Sequence, residues 1–182
     1  AYLEILDSMY GQDDISFVGC RHEQGAGFMA LGYARATGKA GVCLVQNGPG
    51  VTNLVTTTAA AMMCHSPMII LGGAPMVGQI YKDSFQELDH MSVFRPICKE
   101  VIQLNRADRV SEILSRAFRV AYSGKMGPVY VDLPRDLLNE QCLDTPVSDP
   151  MSYRPLQKPE GDVNQIQAAL KEIRSAKSPV IL

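Results

Sequence analysis

Net charge is nearly absent from this chain: 17 basic and 19 acidic residues leave −2 at neutral pH. That balance gives no electrostatic reason to expect nucleic acid or an anionic membrane as a partner. Long apolar runs are missing too. The longest, around Pro67-Met68-Ile69-Ile70-Leu71, falls well short of the roughly 20 residues a membrane span needs and reads as a buried strand. The five cysteines (Cys20, Cys43, Cys64, Cys98, Cys142) include no Cys-x-x-Cys pair, and no His stands at metal-ligand spacing. This argues against a zinc site and a disulfide framework. The cysteines are expected to be small buried hydrophobes in a reducing, cytoplasmic setting. An initiator Met and a signal peptide are lacking as well. The chain starts inside an amphipathic pattern (Leu3, Ile5, Leu6, Met9) and stops in a strand-like Pro179-Val180-Ile181-Leu182. Both ends are expected to be cuts in a longer polypeptide.

What is present is ordinary for a globular protein: 182 residues, 46% hydrophobic and 20% charged, enough for one full core and the start of another. Strand-like runs fall at about 15–19, 41–46, 67–71, 100–104 and 128–133, with helix-like stretches between them. The alternation predicts an α/β fold, a mostly parallel sheet with helices on both faces. The clearest helix is Asp108–Tyr122, where Val110, Ile113, Leu114, Ala117, Phe118 and Ala121 form one apolar stripe. Asp108 stands at the expected N-cap and Gly124 at the expected left-handed stop. A second helix, from Glu23 to Ala36, carries Gly25, Ala26, Gly27, Ala30, Gly32, Ala34 and Ala36. Each glycine costs roughly 1 kcal/mol against alanine in a helix. The pattern predicts very close packing, against a neighbouring helix, at a subunit interface, or on its own sheet. Prolines 146, 150, 155 and 159 mark residues 139–160 as a linker between a domain at 1–138 and a second α/β domain beginning at 161–182. That second unit opens with the stripe Val163, Ile166, Ala169, Leu170, Ile173.

Two segments carry the chemistry. In Arg21-His22-Glu23-Gln24-Gly25 a carboxylate follows a β-rich run and opens a helix; in Gln46-Asn47-Gly48-Pro49-Gly50-Val51-Thr52-Asn53 a strand breaks into a second helix. At the carboxyl ends of two parallel strands these would meet where open α/β sheets bind ligands. On position alone Glu23 reads first as a residue favoured by the helix dipole, and the glycine turn alone is a weak signal that reads also as an ordinary strand-to-helix connection. The dinucleotide pattern Gly-x-Gly-x-x-Gly is missing, which disfavours a nicotinamide dehydrogenase. An exposed Phe85-Gln86 pair in a polar loop reads as a binding loop. His65 and His90 stand alone and read as structural.

With Ser84-Phe85-Gln86-Glu87 and Gly127-Pro128-Val129-Tyr130-Val131-Asp132-Leu133-Pro134-Arg135-Asp136 in the same order, these segments resemble the pyrimidine-binding domain of thiamine-diphosphate-dependent enzymes, in particular the acetolactate synthase group. The resemblance implies that Glu23 is catalytic, hydrogen-bonded to N1′ of the cofactor's aminopyrimidine, and that partial burial raises its pKa. It implies that Gly48, Pro49, Gly50 and Asn53 bind the cofactor, and that His22, Phe85, Gln86 and Lys99 lie near a small 2-oxo acid substrate. The implied reaction is decarboxylation of that acid and transfer of the remainder to a second carbonyl. A homodimer or homotetramer is implied, as is Mg²⁺, whose Gly-Asp-Gly motif would belong to a missing C-terminal domain. Two departures matter. Gln46-Asn47 replaces the group's usual Thr-Ser and is closer to sulfoacetaldehyde acetyltransferases, which remain an alternative, as does a non-catalytic ligand-binding domain. In Ser123-Gly124-Lys125-Met126-Gly127-Pro128, Lys125 replaces the Arg that contacts FAD in the family. Lysine lacks the planar fork of arginine, so weak or absent flavin is expected.

Overall fold

The computed structural model describes residues 2–141, 146–154 and 160–180. Strands β1 (Gly41–Val45), β2 (Met68–Ala74), β3 (Glu100–Gln103) and β4 (Pro128–Pro134) form one all-parallel sheet in the order β1-β2-β4-β3. Helices α1 (Leu3–Met9), α2 (Glu23–Thr37), α3 (Pro49–Thr52), α4 (Val55–Met63), α5 (His90–Phe94), α6 (Val110–Tyr122), α7 (Pro150–Tyr153) and α8 (Val163–Ser175) accompany it. This is the expected α/β architecture. Parallel strands joined by helical crossovers are covered on both faces, so they read as continuous apolar runs. All seven residues of β4 are buried. On one face Ile70 and Tyr130 pack with Leu54, Ala61 and Phe94; on the other Ile69, Val129 and Val131 pack with Ile113, Ala117 and Ala121 of α6.

The small residues of α2 have two uses. A side chain at Gly27 would stand 2.2 Å from Thr57 Oγ1 and 2.9 Å from Leu54 Cδ2, so the close approach is to α4 of the same chain. Ala30 and Ala34 are buried towards the sheet, whereas Phe28, Met29 and Tyr33 on the far side are about half exposed.

Several expectations need correction. Residues 15–19 form no strand. They carry no regular secondary structure, with Ile15, Phe17 and Val18 at 58–61% exposure, because β-branched residues make a strand only where a neighbour takes their backbone groups, and no described strand pairs with them. Asp108 is not an N-cap: α6 starts two residues later, behind a 3₁₀ turn at Ala107–Arg109, and Asp108 holds Arg106 instead (Nε–Oδ1 2.9 Å). Gly124 does take the left-handed conformation, with φ +54°. Cys43 and Cys98 are buried, and burial pushes both thiols up to about 12; Cys20 and Cys64 are exposed, contrary to expectation. Cys142 lies outside the described residues. So do residues 155–159 of the linker and Ile181-Leu182 of the expected final strand. Pro179 and Val180 are exposed and not in a strand. Within the linker, α7 is one turn capped by Asp149, and Arg154 lies 5.3 Å above the Phe118 ring of α6. The apolar stripe of α8 exists as read, but its residues are exposed.

Candidate active site

Two helix starts and one loop converge at the carboxyl end of β1. Glu23 is the first residue of α2, where the dipole of a 15-residue helix favours a negative charge. His22 caps that helix, its Nδ1 accepting the Gln24 N–H at 3.1 Å. Across the gap, Asn53 ends α3, and its Nδ2 donates to Glu23 Oε2 at 2.9 Å. The hydrogen bond from Asn53 is the main reason the Glu23 carboxyl sits below the usual carboxylate range; the helix backbone adds to it and burial opposes it. The expected rise in its pKa is thus reversed, because two donors outweigh partial desolvation. The depressed value means the Asn53 tie is fully present above the ordinary carboxylate range and is lost only as pH falls below that range through the lowered value. Asn53→Ala should therefore move the Glu23 titration upward in an NMR pH series; an unchanged midpoint would show that Asn53 does not set it.

The other Glu23 oxygen, Oε1, faces Gly50. A side chain at Gly50 would meet it at 3.4 Å and Gln46 Cβ at 3.2 Å, so the glycine keeps an opening beside the carboxylate. Pro49 occupies the first turn of α3 as expected. Gly48 has φ +63° and ψ −117°, conditions that exclude side chains, and a Cβ would stand 2.6 Å from Gln86 O. Its N–H donates to His90 Nε2 at 2.9 Å.

The Phe85-Gln86 loop is tied to the same turn. Asn47 Nδ2 donates to Phe85 O at 3.2 Å and Gln86 O at 3.5 Å, and Gln46 Nε2 donates to Asn47 Oδ1 at 2.7 Å. Tyr81, Asp83 and Gln86 all have positive φ, a conformation rare outside glycine and concentrated at functional sites. Glu87 holds this shape by accepting the backbone N–H groups of Tyr81 and Ser84 and the Ser84 hydroxyl. Those bonds keep its carboxyl below the usual range. Phe85 is 84% exposed, and Gln86 Oε1 is buried with no partner among the described residues. A cleft of about 130 Å³ opens beside Phe85, between Gln46, Ala74, Met76, Gln79 and Arg135.

The structure thus gathers Glu23, His22, Gly48, Pro49, Gly50, Asn53, Phe85 and Gln86 around one strand end. It does not bring Lys99 there. Lys99 precedes β3 at the opposite, amino edge of the sheet, where its Nζ donates to Val120 O and Ser123 O at the end of α6. His65, with φ +52°, terminates the turn after α4 and contacts Met62 O. His90 is buried as a structural residue, but its placement beneath Gly48 was not legible. Nor was the Asp132 that binds its other nitrogen at 3.0 Å. The available signal was an acid in the middle of an apolar strand, which demands buried partners.

Residues 1–93 match the family described as thiamine pyrophosphate enzyme, N-terminal TPP binding domain. The chain is 40% identical to an acetolactate synthase of Mycobacterium leprae and 40% identical to the large subunit of acetolactate synthase isozyme 3 of Escherichia coli K12. It is 42% identical to a probable acetolactate synthase large subunit of Methanococcus aeolicus. Each similarity covers 100% of this chain and, in that order, 29%, 32% and 31% of the relative. The chain therefore spans less than a third of the length of the curated relatives it matches.

Proposed function

The chain belongs to the thiamine pyrophosphate enzyme family through its N-terminal TPP-binding domain, and from that premise we propose that it supplies the aminopyrimidine half of an acetolactate-synthase-like carboligase site. One observation carries the reading: an ionised Glu23, held by Asn53 and a helix N-terminus, turns an oxygen towards the opening kept by Gly50. That donor and acceptor set fits the edge of an aminopyrimidine. The bound cofactor supplies the carbon nucleophile and electron sink that decarboxylation of a 2-oxo acid requires.

The residues of this chain have narrower tasks. Glu23 Oε1 would hold or share a proton with a ring nitrogen of the bound cofactor, and Asn53 fixes the direction of that carboxylate. Gly48, Pro49 and Gly50 form the floor against which a flat ring can lie. His22 holds the first turn of α2 and so the height of Glu23. Phe85 is an apolar wall for a small 2-oxo acid beside the cleft, and Gln86 follows it in the same loop, its carbonyl held by Asn47. Lys99 reaches substrate only if a second subunit brings another site to its edge of the sheet. A homodimer or homotetramer, in which another region of the polypeptide anchors Mg²⁺ and the diphosphate, completes the reading.

In the holoenzyme, pyruvate should be consumed with formation of acetolactate only when thiamine diphosphate and Mg²⁺ are present. Product assayed after acid decarboxylation checks this, and turnover that survives exhaustive removal of the cofactor would sink it. Flavin should be weakly bound or lacking, since Lys125, which is exposed, offers no planar fork for it. An absorbance scan of the purified holoenzyme showing a stoichiometric flavin band would overturn that expectation.

Among the described residues no helix is long and apolar enough to cross a membrane, and no group of three or more His, Cys, Asp or Glu could hold a metal ion. As the resemblance implies, we propose that Mg²⁺ is anchored by another region of the polypeptide and that the protein is cytoplasmic.

A further inference from the structure

We infer that His90 is a positioning residue for the Gly48 turn, acting with Asp132 from inside the core. The inference rests on the reading that this turn carries the cofactor.

The Gly48 N–H donates to His90 Nε2 at 2.9 Å, so that nitrogen carries no proton. The ring proton is then on Nδ1, which donates to Asp132 Oδ1 at 3.0 Å. The carboxylate is held in turn by the Tyr130 hydroxyl on Oδ1 at 2.6 Å and by the Gln103 amide on Oδ2 at 3.0 Å. Burial, with the carboxylate beside it, drives the Tyr130 hydroxyl far above its usual pKa, so it remains a donor. His90 and Asp132 are 2% and 4% exposed. Residues of β3, β4 and α5 thus form one continuous chain of hydrogen bonds that ends on a single backbone amide.

Such a chain is an expensive way to fill space. A buried imidazole and carboxylate cost free energy unless every polar atom is matched, and an apolar side chain would fill position 90 without that demand. What the network does supply is direction: the carboxylate fixes the tautomer, and the tautomer makes Nε2 an acceptor, as second-shell partners do for histidines in other sites. Its target is the point of the turn that most needs fixing, the glycine at φ +63° packed on Gln86 O. From the other side Asn47 ties the turn to the Phe85-Gln86 loop. His90 therefore sets the height of the Gly48-Pro49-Gly50 floor below Glu23 and touches no reacting atom itself.

The test uses the holoenzyme, with long-range ¹H–¹⁵N spectra of the His90 ring, amide exchange of the peptide covering residues 46–53, and thiamine diphosphate titration. The unaltered protein should show the neutral Nδ1–H tautomer. In His90→Leu, exchange of residues 46–53 should rise about tenfold and cofactor affinity fall about tenfold, the scale of one net hydrogen bond. His90→Gln, whose amide offers both an acceptor and a donor, should restore exchange and affinity together. An Nε2–H tautomer overturns the inference, and this measurement stands even if the leucine variant fails to fold. Unchanged exchange in a folded His90→Leu also overturns it. Faster exchange with unchanged cofactor affinity keeps the brace and overturns instead the reading of the turn as a cofactor site.

Discussion

Replacing Glu23 by Gln in the holoenzyme should slow exchange of the C2 proton of bound thiamine diphosphate by roughly 10²–10⁴, the usual contribution of a positioned acid–base group. The substitution keeps the size of the side chain and an oxygen for Asn53 Nδ2, which now lies 2.9 Å from the carboxylate. It removes the negative charge that the start of α2 stabilises and the group able to hold a shared proton. Cofactor affinity should change much less than the exchange rate, since the floor formed by Gly48, Pro49 and Gly50 is untouched. Hydrogen–deuterium exchange at C2 followed by NMR reads the effect directly. Exchange at the unaltered rate would remove Glu23 from the chemistry and leave it a helix-start residue.

The largest loss of stability should come from Phe94→Ala. Phe94 is fully buried and stacks on Tyr130 with ring centroids 4.5 Å apart and planes 20° from parallel. Truncation removes that contact and leaves a cavity against the central strand β4, at a cost of about 3–5 kcal/mol. For a domain of this size that corresponds to a fall in Tm of roughly 6–20 °C. Because Tyr130 also donates to Asp132, the variant should loosen the Gly48 turn as well, and amide exchange there should rise with the global change. Urea unfolding followed by circular dichroism checks the first part. A loss under about 1 kcal/mol would mean that the Tyr130 face repacks without Phe94.

Four of the five strands expected within residues 1–138, and the helices from Glu23, Pro49 and Val110, were legible because their cause is local. Continuous apolar runs such as Met68-Ile69-Ile70 mark strands buried on both faces, and the 3.6-residue stripe through Ile113, Ala117 and Ala121 marks a helix lying on them. The run at 15–19 (Ile-Ser-Phe-Val-Gly) is also rich in β-formers and is not a strand, since pairing depends on a neighbour that composition does not describe. Asp108 looked like a cap for an equally local reason, but the nearby Arg106 captured its carboxylate and a 3₁₀ turn displaced the start of the helix.

The site divides in the same way. The motifs named Glu23, Gly48, Pro49, Gly50, Asn53, Phe85 and Gln86, because residue type and order along the chain are what a motif records. The direction of the Glu23 shift was beyond them. It turns on Asn53, 30 residues away, whose amide reaches the carboxylate only after β1 and α3 have brought the two helix starts together. Lys99 was grouped with these residues by its place in a motif, yet β3 carries it to the other edge of the sheet, where it caps α6. His90, which reads as an isolated histidine, meets Asp132 beneath Gly48 only because the crossover from β2 to β3 carries α5 over β4, which lies between those strands. The sequence by itself determined which groups the protein has and the elements that present them. Only the tertiary structure decided which groups touch, because hydrogen bonding and desolvation act over a few ångströms between residues that can be far apart in the chain.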